Sequence, residues 1–400
     1  MVPPVLPLLS IILRNDSVLL AELLLSENDN GTTSTVVREL ASAPQSLLTP
    51  LQSGKQLSFD PAAHRAFAFL WHYPQATSGA ASPNAAAAAV PSVAVFGGVG
   101  SVRSAAAAAA TAVSLALILD VPELNAYANV RWDAHAGGGR GGVLLSGART
   151  VDSAAVVGLL TLPPPSLAVP NKATSSEVVV MAGNYSEIAT LGADCELFTV
   201  TAADLGGSRT LFLSLGCPEQ RLGRLHVDSG TFSSVPLSSG TPAAGGFVLS
   251  SLVLSSWAFQ GGGGGAAAGR IVGIGMLESH PPSLAFFSIN VSTGQMRTAC
   301  GIAGVSSPVQ SVAAYDDASG RYFQFAFATA QSNAGAVPSG EAGSLQFGAP
   351  TLVELDTVAA LAMAEQAAPA TTLPVCQGVR LRALPQPAAS GLFDVCVLAD

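Results

Sequence analysis

Charge is what this chain has least of. Only 11% of its 400 residues are Asp, Glu, Lys or Arg, under half the usual share for a soluble domain. The 17 basic residues form no cluster, which excludes the electrostatic footprint of a nucleic-acid binder or of a protein held on anionic lipid. Histidine is equally sparse, at five residues, and no HExxH, P-loop, GxSxG elbow or paired-Cys zinc spacing occurs. These gaps remove the ready-made signatures of metalloproteases, NTPases and α/β-hydrolases. Long apolar runs are missing too. A long uncharged, alanine-rich stretch, Ser104–Leu119, has 16 residues with six consecutive alanines, too short and too weakly apolar to span a bilayer.

Small and turn-forming residues fill the space left by charge. There are 41 glycines and 26 prolines, and 49% of the chain is hydrophobic. That composition excludes disorder and fits turn-rich β structure around a sizeable core. The apolar start, MVPPVLPLLSIILR, carries no basic residue before its apolar stretch and no small-x-small cleavage site. It reads as a strand, with a degenerate leader peptide as the alternative.

Two stretches carry most of the information. FFSINVSTGQMRTACG (Phe286–Gly301) and VAAYDDASGRYFQFAFA (Val312–Ala328) each consist of an alternating run, a polar turn and a second alternating run. That is the pattern of a β-hairpin. Looser versions are expected at Val18–Leu40 around Asn30-Gly31, at Gln56–Trp71 around Pro61–His64, and at Leu115–Trp132 around Val121–Glu123. Others follow at Glu196–Leu215, Arg221–Leu237, Leu252–Leu277 and Val379–Leu398. Eight or more hairpins leave many sheet edges, which a closed architecture removes. The expectation is an all-β protein, a β-propeller of six or seven four-stranded antiparallel blades, with a β-sandwich pair or another β-repeat as the alternative. One domain covers 1–400, with loop inserts at 75–89, 137–142, 163–176, 261–269 and 331–343. Helix is expected only as a short turn in the alanine tracts 85–89 and 105–110.

The wording of the repeats, apolar-x-apolar-Asn-x-x-Thr-Gly at Phe287–Gly294 and the Tyr-Asp…Gly pattern at Val312–Phe323, resembles generic β-propeller repeats of the PQQ-like and YVTN-like kind. The resemblance covers mainly residues 220–330. Pairs of hairpins fall about 50–60 residues apart, close to the length of a four-stranded propeller blade, and the resemblance carries no family site residues with it.

Chemistry-bearing residues are few. GGGRGG at 137–142 satisfies GxGxxG but runs into Val143-Leu144-Leu145, a strand, so it does not read as a dinucleotide loop. His226 and Asp228 share one strand face and are the weak metal candidates, against an ordinary strand end entering a turn. Glu27, Asp29 and Asn30 could ligate calcium, but Asn30-Gly31 already serves as a turn. Asp316-Asp317 reads as turn capping rather than a carboxylate pair. Trp71, Trp132, Trp257, Tyr73, Tyr127 and Phe259 end alternating runs, either as core staples or as an aromatic rim for a partner.

The cysteines pair by position. A hairpin centred at Gly206 sets Cys195 opposite Cys217, and one centred at Gln386 sets Cys376 opposite Cys396, leaving Cys300 alone. Sequons stand at Asn15, Asn30, Asn184 and Asn290. Together these tilt the chain toward an oxidising, secretory compartment. The functional expectation is a monomeric binding or interaction scaffold for an unknown protein or glycan partner, without cofactor, catalytic residues, membrane span or nucleic acid. A propeller hydrolase or lyase working in the central channel, or an extracellular adhesion protein, are the alternatives.

Overall fold

The fold is described from a computed structural model, for residues 7–14, 16–27, 33–50, 57–74, 88–99, 113–125, 129–164, 178–192, 195–205, 208–239, 257–260, 269–277, 283–316, 319–328, 350–366, 373–384 and 391–397. Among these residues six sheets follow one another along the chain. The first runs, in spatial order, Gly391–Val397, Pro7–Arg14, Ser17–Glu27 and Thr33–Pro44. The second is Val179–Ala182, Ser114–Asp120, Val90–Gly97, Arg65–His72 and Leu48–Pro50, with Leu57–Asp60 also paired to Arg65–His72. Asn184–Gly192, Ala155–Thr161, Gly142–Ala148 and Asn129–Asp133 make the third; Glu196–Leu205, Ser208–Gly216, Gln220–His226 and Thr231–Pro236 make the fourth. The fifth is Ser238–Ser239, Gln295–Ile302, Ser283–Asn290, Arg270–Leu277 and Trp257–Gln260; the sixth is Val305–Asp316, Arg321–Ala328, Pro350–Asp356 and Val379–Ala383.

The middle strands are apolar on both faces because each sheet is covered on both sides. Arg65–His72 is buried at six of its eight positions, and Gly142–Ala148 at six of seven. The outermost strand of the third sheet, Asn184–Gly192, has a single buried residue. Six apolar clusters fill the gaps between sheets. Leu9, Ile11 and Leu20 meet Ala66, Leu70 and Phe96 between the first and second sheets. Phe67, Phe69 and Val93 meet Val143, Leu145 and Val156 between second and third. Leu144 and Val157 meet Leu211, Leu213 and Leu225. Phe212 and Leu222 then meet Ile271, Phe287 and Met296, and Val272, Ile274 and Phe286 meet Tyr322, Val353 and Leu355. The last cluster joins Phe323, Phe325 and Leu352 of the sixth sheet to Leu8, Ile12 and Leu19 of the first. Every sheet thus packs on the next, and the sixth packs on the first.

Two expected hairpins are corrected. Val379–Ala383 and Gly391–Val397 belong to different sheets, the sixth and the first; the latter pairs with Pro7–Arg14 in the register Leu9↔Cys396, Ser10↔Val395. Likewise Ser114–Asp120 closes one sheet and Asn129–Asp133 opens the next, so Leu115–Trp132 is a passage between sheets. In both cases two alternating runs around a Pro-containing turn look alike whether they pair with each other or with third parties. The expected insert at 137–142 is also corrected: Ala136–Gly139 is a helical turn, and Gly142 already begins a strand. The alanine tract 105–110 lies outside the described residues, as does 85–87. Among the described residues the one helix of length, Thr357–Gln366, lies elsewhere, with the Asp356 carboxylate accepting the Ala359 N–H at 3.0 Å as its cap.

Short additional strands fasten the outer edges. Val179–Ala182, in the connection leading to the third sheet's outermost strand, lies parallel to Ser114–Asp120 of the second. Ser238–Ser239 leaves the fourth sheet and lies parallel to Gln295–Met296 of the fifth. Val375, beyond the helix of the sixth sheet, bridges Gly301 of the fifth in the same parallel sense.

Candidate functional site

Most polar side chains singled out in the sequence serve local structure. Asp60 accepts the N–H groups of Ala62 and Ala63 through Oδ1 and Arg65 through Oδ2 at 2.8 Å, closing the turn before Arg65–His72. Asp316 accepts the Ser319 hydroxyl in its own turn. Asp317, Asp29 and Asn30 lie outside the described residues. His226 ends its strand with Nδ1 3.3 Å from the Thr210 hydroxyl, while Asp228 sits in the following turn and takes the Arg209 guanidinium, Nε at 2.9 Å. Arg209 also reaches Asp133 of the third sheet at 2.5 Å. The hydrogen bond from Arg209 holds the Asp228 carboxyl below its ordinary range, and the same bond raises the guanidinium. His226 and Asp228 thus contact different side chains, and no group of three or more His/Cys/Asp/Glu able to hold a metal occurs among the described residues.

The glycine run acts as a chain reversal over an aromatic. Gly141 has φ +78°, and a Cβ there would run into the Trp132 ring. Trp132 stacks on Phe67 at 5.2 Å between ring centroids, under the Arg65 guanidinium at 5.5 Å. Trp132 is thus a staple between the second and third sheets. Tyr127 lies outside the described residues, as do the side chains of Trp257 and Phe259.

The cysteines part company with expectation at one end. Cys195 and Cys217 are joined, with Cα atoms 4.2 Å apart. Near the turn the strands pair one residue off the expected register, Asp204↔Arg209. A bulge at Phe198 then restores Leu197↔Leu215 and brings the cysteines opposite each other. The second disulfide is Cys300–Cys376, Cα 4.9 Å apart, and not Cys376–Cys396. Cys396 lies in the first sheet, opposite Leu9, once the expected hairpin is dissolved.

Two buried polar groupings had no sequence signal, because their members come from separate strands. His72 Nδ1 lies 2.8 Å from Asp120 Oδ1, which also accepts the Ser92 hydroxyl at 2.7 Å. The carboxylate sits between the other two, so the serine donates to Asp120 rather than to the imidazole and is not an activated nucleophile. Ser92 is fully buried, and the trio pins the ends of three strands of the second sheet. In the sixth sheet, buried Glu354 accepts Arg382 at 2.7 Å and Arg321 at 3.0 Å, with Arg380 at 4.0 Å. Asp316 and Asp356 stand directly across from Arg321 on the flanking strands, which balances the charge of the group.

A different kind of place lies between the third and fourth sheets. Asn129 and Arg131 of the strand Asn129–Asp133, Leu144 and Ser146 of the next strand, Val157 and Leu211 line a small cleft of about 10 Å³, space for about one water, that opens to solvent. Asn129 and Ser146 are directly paired across the two strands and both are buried. Among the described residues the Ser146 hydroxyl has no hydrogen-bond partner. Leaving it so costs about 1–3 kcal/mol of desolvation. The cleft therefore offers one hydrogen-bonding hydroxyl on apolar walls of Leu144, Val157 and Leu211, flanked by an amide and a guanidinium.

No protein-family model matches the chain, and no curated protein matches it. Among solved structures, 90% of the chain aligns with 53% of puromycin hydrolase at 11% identity and a TM-score of 0.41. A mutant of that enzyme aligns over 88% of this chain and 44% of its own, again at 11% identity, with a TM-score of 0.40. A candidate 6-phosphogluconolactonase from Bacteroides fragilis aligns over 99% of both chains at 10% identity and a TM-score of 0.41. The chain spans about half the length of the two puromycin hydrolase chains. Likeness at this level bears on neither activity nor substrate.

Proposed function

We propose that the six sheets are the blades of one closed β-propeller and that the protein is a binding scaffold, with the cleft between the third and fourth blades as a recognition site. Cyclic packing of the six apolar clusters supports the propeller, and insertion of Gly391–Val397 beside Pro7–Arg14 supplies its closure. The binding reading is carried by one observation, the buried Ser146 hydroxyl, without a partner among the described residues, on the wall of a cleft that opens to solvent. The stability that this group costs in the free protein is recovered when a ligand completes its hydrogen bond. The ligand that fits presents a carbonyl or hydroxyl on an apolar stem, as a peptide or a glycan does.

Panning a displayed peptide library and a glycan array with the purified chain tests this. Ligands so found should bind Ser146→Ala about tenfold more weakly, roughly 1.4 kcal/mol, while the melting temperature of the variant stays level or rises. Ligands that bind wild type and Ser146→Ala equally would overturn the assignment of the site. Turnover of ester, lactone or peptide substrates by the purified chain would overturn the scaffold reading itself.

A further inference from the structure

The structure separates the two sequons it describes. Asn290 ends the strand Ser283–Asn290, and its carboxamide oxygen is fully engaged by the turn that follows. It accepts the Ser292 N–H at 2.9 Å, the Ser292 hydroxyl at 2.6 Å and the Thr293 N–H at 3.2 Å. The same turn is pressed against the connection from the fourth sheet. Ser238 N–H donates to Gly294 O, and a Cβ on Gly294 would run into Pro236 O.

Asn184 is placed in the opposite way. It opens Asn184–Gly192, the outermost strand of the third sheet, paired inward only with Thr161. Asn184 and Ser186, the two sequon positions that matter chemically, are both exposed and project from one face of the strand, whereas Tyr185 between them turns inward over Gly158. Among the described residues no hydrogen bond engages the Asn184 carboxamide. The strand it opens is a sheet edge, and open edges invite pairing with other chains unless charge or bulk blocks them. The strand's one charged residue, Glu187, is paired with Arg149.

We infer that Asn184 carries an N-linked oligosaccharide, which shields the outer edge of the third sheet. The donor is a lipid-linked oligosaccharide pyrophosphate. The Asn184 Nδ2 attacks the anomeric carbon, the N–C bond forms as the C–O bond to the pyrophosphate breaks, and the amide proton passes to a base of the transferase. The lipid pyrophosphate leaves with the bonding pair, and no oxidant is consumed. The two disulfides, Cys195–Cys217 and Cys300–Cys376, are what an oxidising compartment housing that transferase produces.

The full chain should be purified from the cells that make it and deglycosylated with peptide N-glycosidase in heavy-oxygen water. Peptide mass spectrometry should show Asn184 converted to heavy-labelled Asp. In a secretory host, N184Q should lose one glycan's worth of mass and aggregate faster than wild type while keeping its circular dichroism spectrum. Unmodified Asn184 in the native chain would overturn the proposal. Unchanged aggregation of N184Q would overturn the shielding role.

Discussion

Single residues show how sharply the packing is specified where two sheets meet. Tyr185 fills the space that Gly158 vacates; a Cβ on Gly158 would run into its ring. That fit leaves a phenol hydroxyl buried without a partner. Burial, with Glu187 and Glu123 nearby, pushes that phenol well above its usual range, so it stays neutral at any physiological pH. Tyr185→Phe keeps the ring and removes the orphaned hydroxyl. It should leave stability unchanged or raise it by up to about 1 kcal/mol, read as the midpoint of urea unfolding. A loss of about 2 kcal/mol or more would show that the hydroxyl has a partner. None of this is legible in sequence, where Gly158 and Tyr185 lie far apart. The turn caps are legible, because an Asp or Asn bonds its own backbone two or three residues on. Asp60 and Asn290 do what their places after alternating runs imply.

At the scale of elements, local hairpins were legible and longer passages were not. Glu196–Leu205 with Ser208–Gly216, Ser283–Asn290 with Gln295–Ile302, and Val305–Asp316 with Arg321–Ala328 all pair as the alternation implies. The helix Thr357–Gln366 had a signal too, an Asp followed by Ala, Leu and Met in good helical positions, although its composition resembles the alanine-rich loops elsewhere. Parallel edge strands carry no alternation long enough to notice, since Ser238–Ser239 has two residues and Val179–Ala182 four. The Cys300–Cys376 disulfide belongs to this class, fastening the segment beyond the helix to the fifth sheet beside the hydrogen bonds Gly301 N–H to Pro374 O and Cys376 N–H to Gly301 O. Cys376→Ser should lower stability by about 2–4 kcal/mol and raise amide exchange first in 357–366 and 373–378, leaving the fourth sheet protected. Uniform loss of protection across all six sheets would mean that the disulfide holds more than this one edge.

For the whole molecule the decisive relation is between the two ends of the described chain. Six sheets in series would be an open stack with two uncovered faces. The strand Gly391–Val397, seated against Pro7–Arg14, and the cluster of Leu8, Ile12 and Leu19 with Phe323, Phe325 and Leu352 cover both of those faces at once. No local pattern could reveal this, because the pairing spans nearly the full length of the chain, and the apparent hairpin Val379–Leu398 argued for a nearer partner. Cross-linking with the native Cys396 tests the pairing most directly. In the observed register Leu9 faces Cys396 and Ser10 faces Val395, and opposed strand residues come within reach of a disulfide. Oxidised Leu9→Cys protein should yield, on peptide mapping, a bond between the introduced thiol and Cys396, beside Cys195–Cys217 and Cys300–Cys376. Ser10→Cys should not capture Cys396. Recovery of Cys396 joined to Cys376, in either variant or in the unaltered chain, would place the last strand in the sixth sheet and contradict the proposed closure.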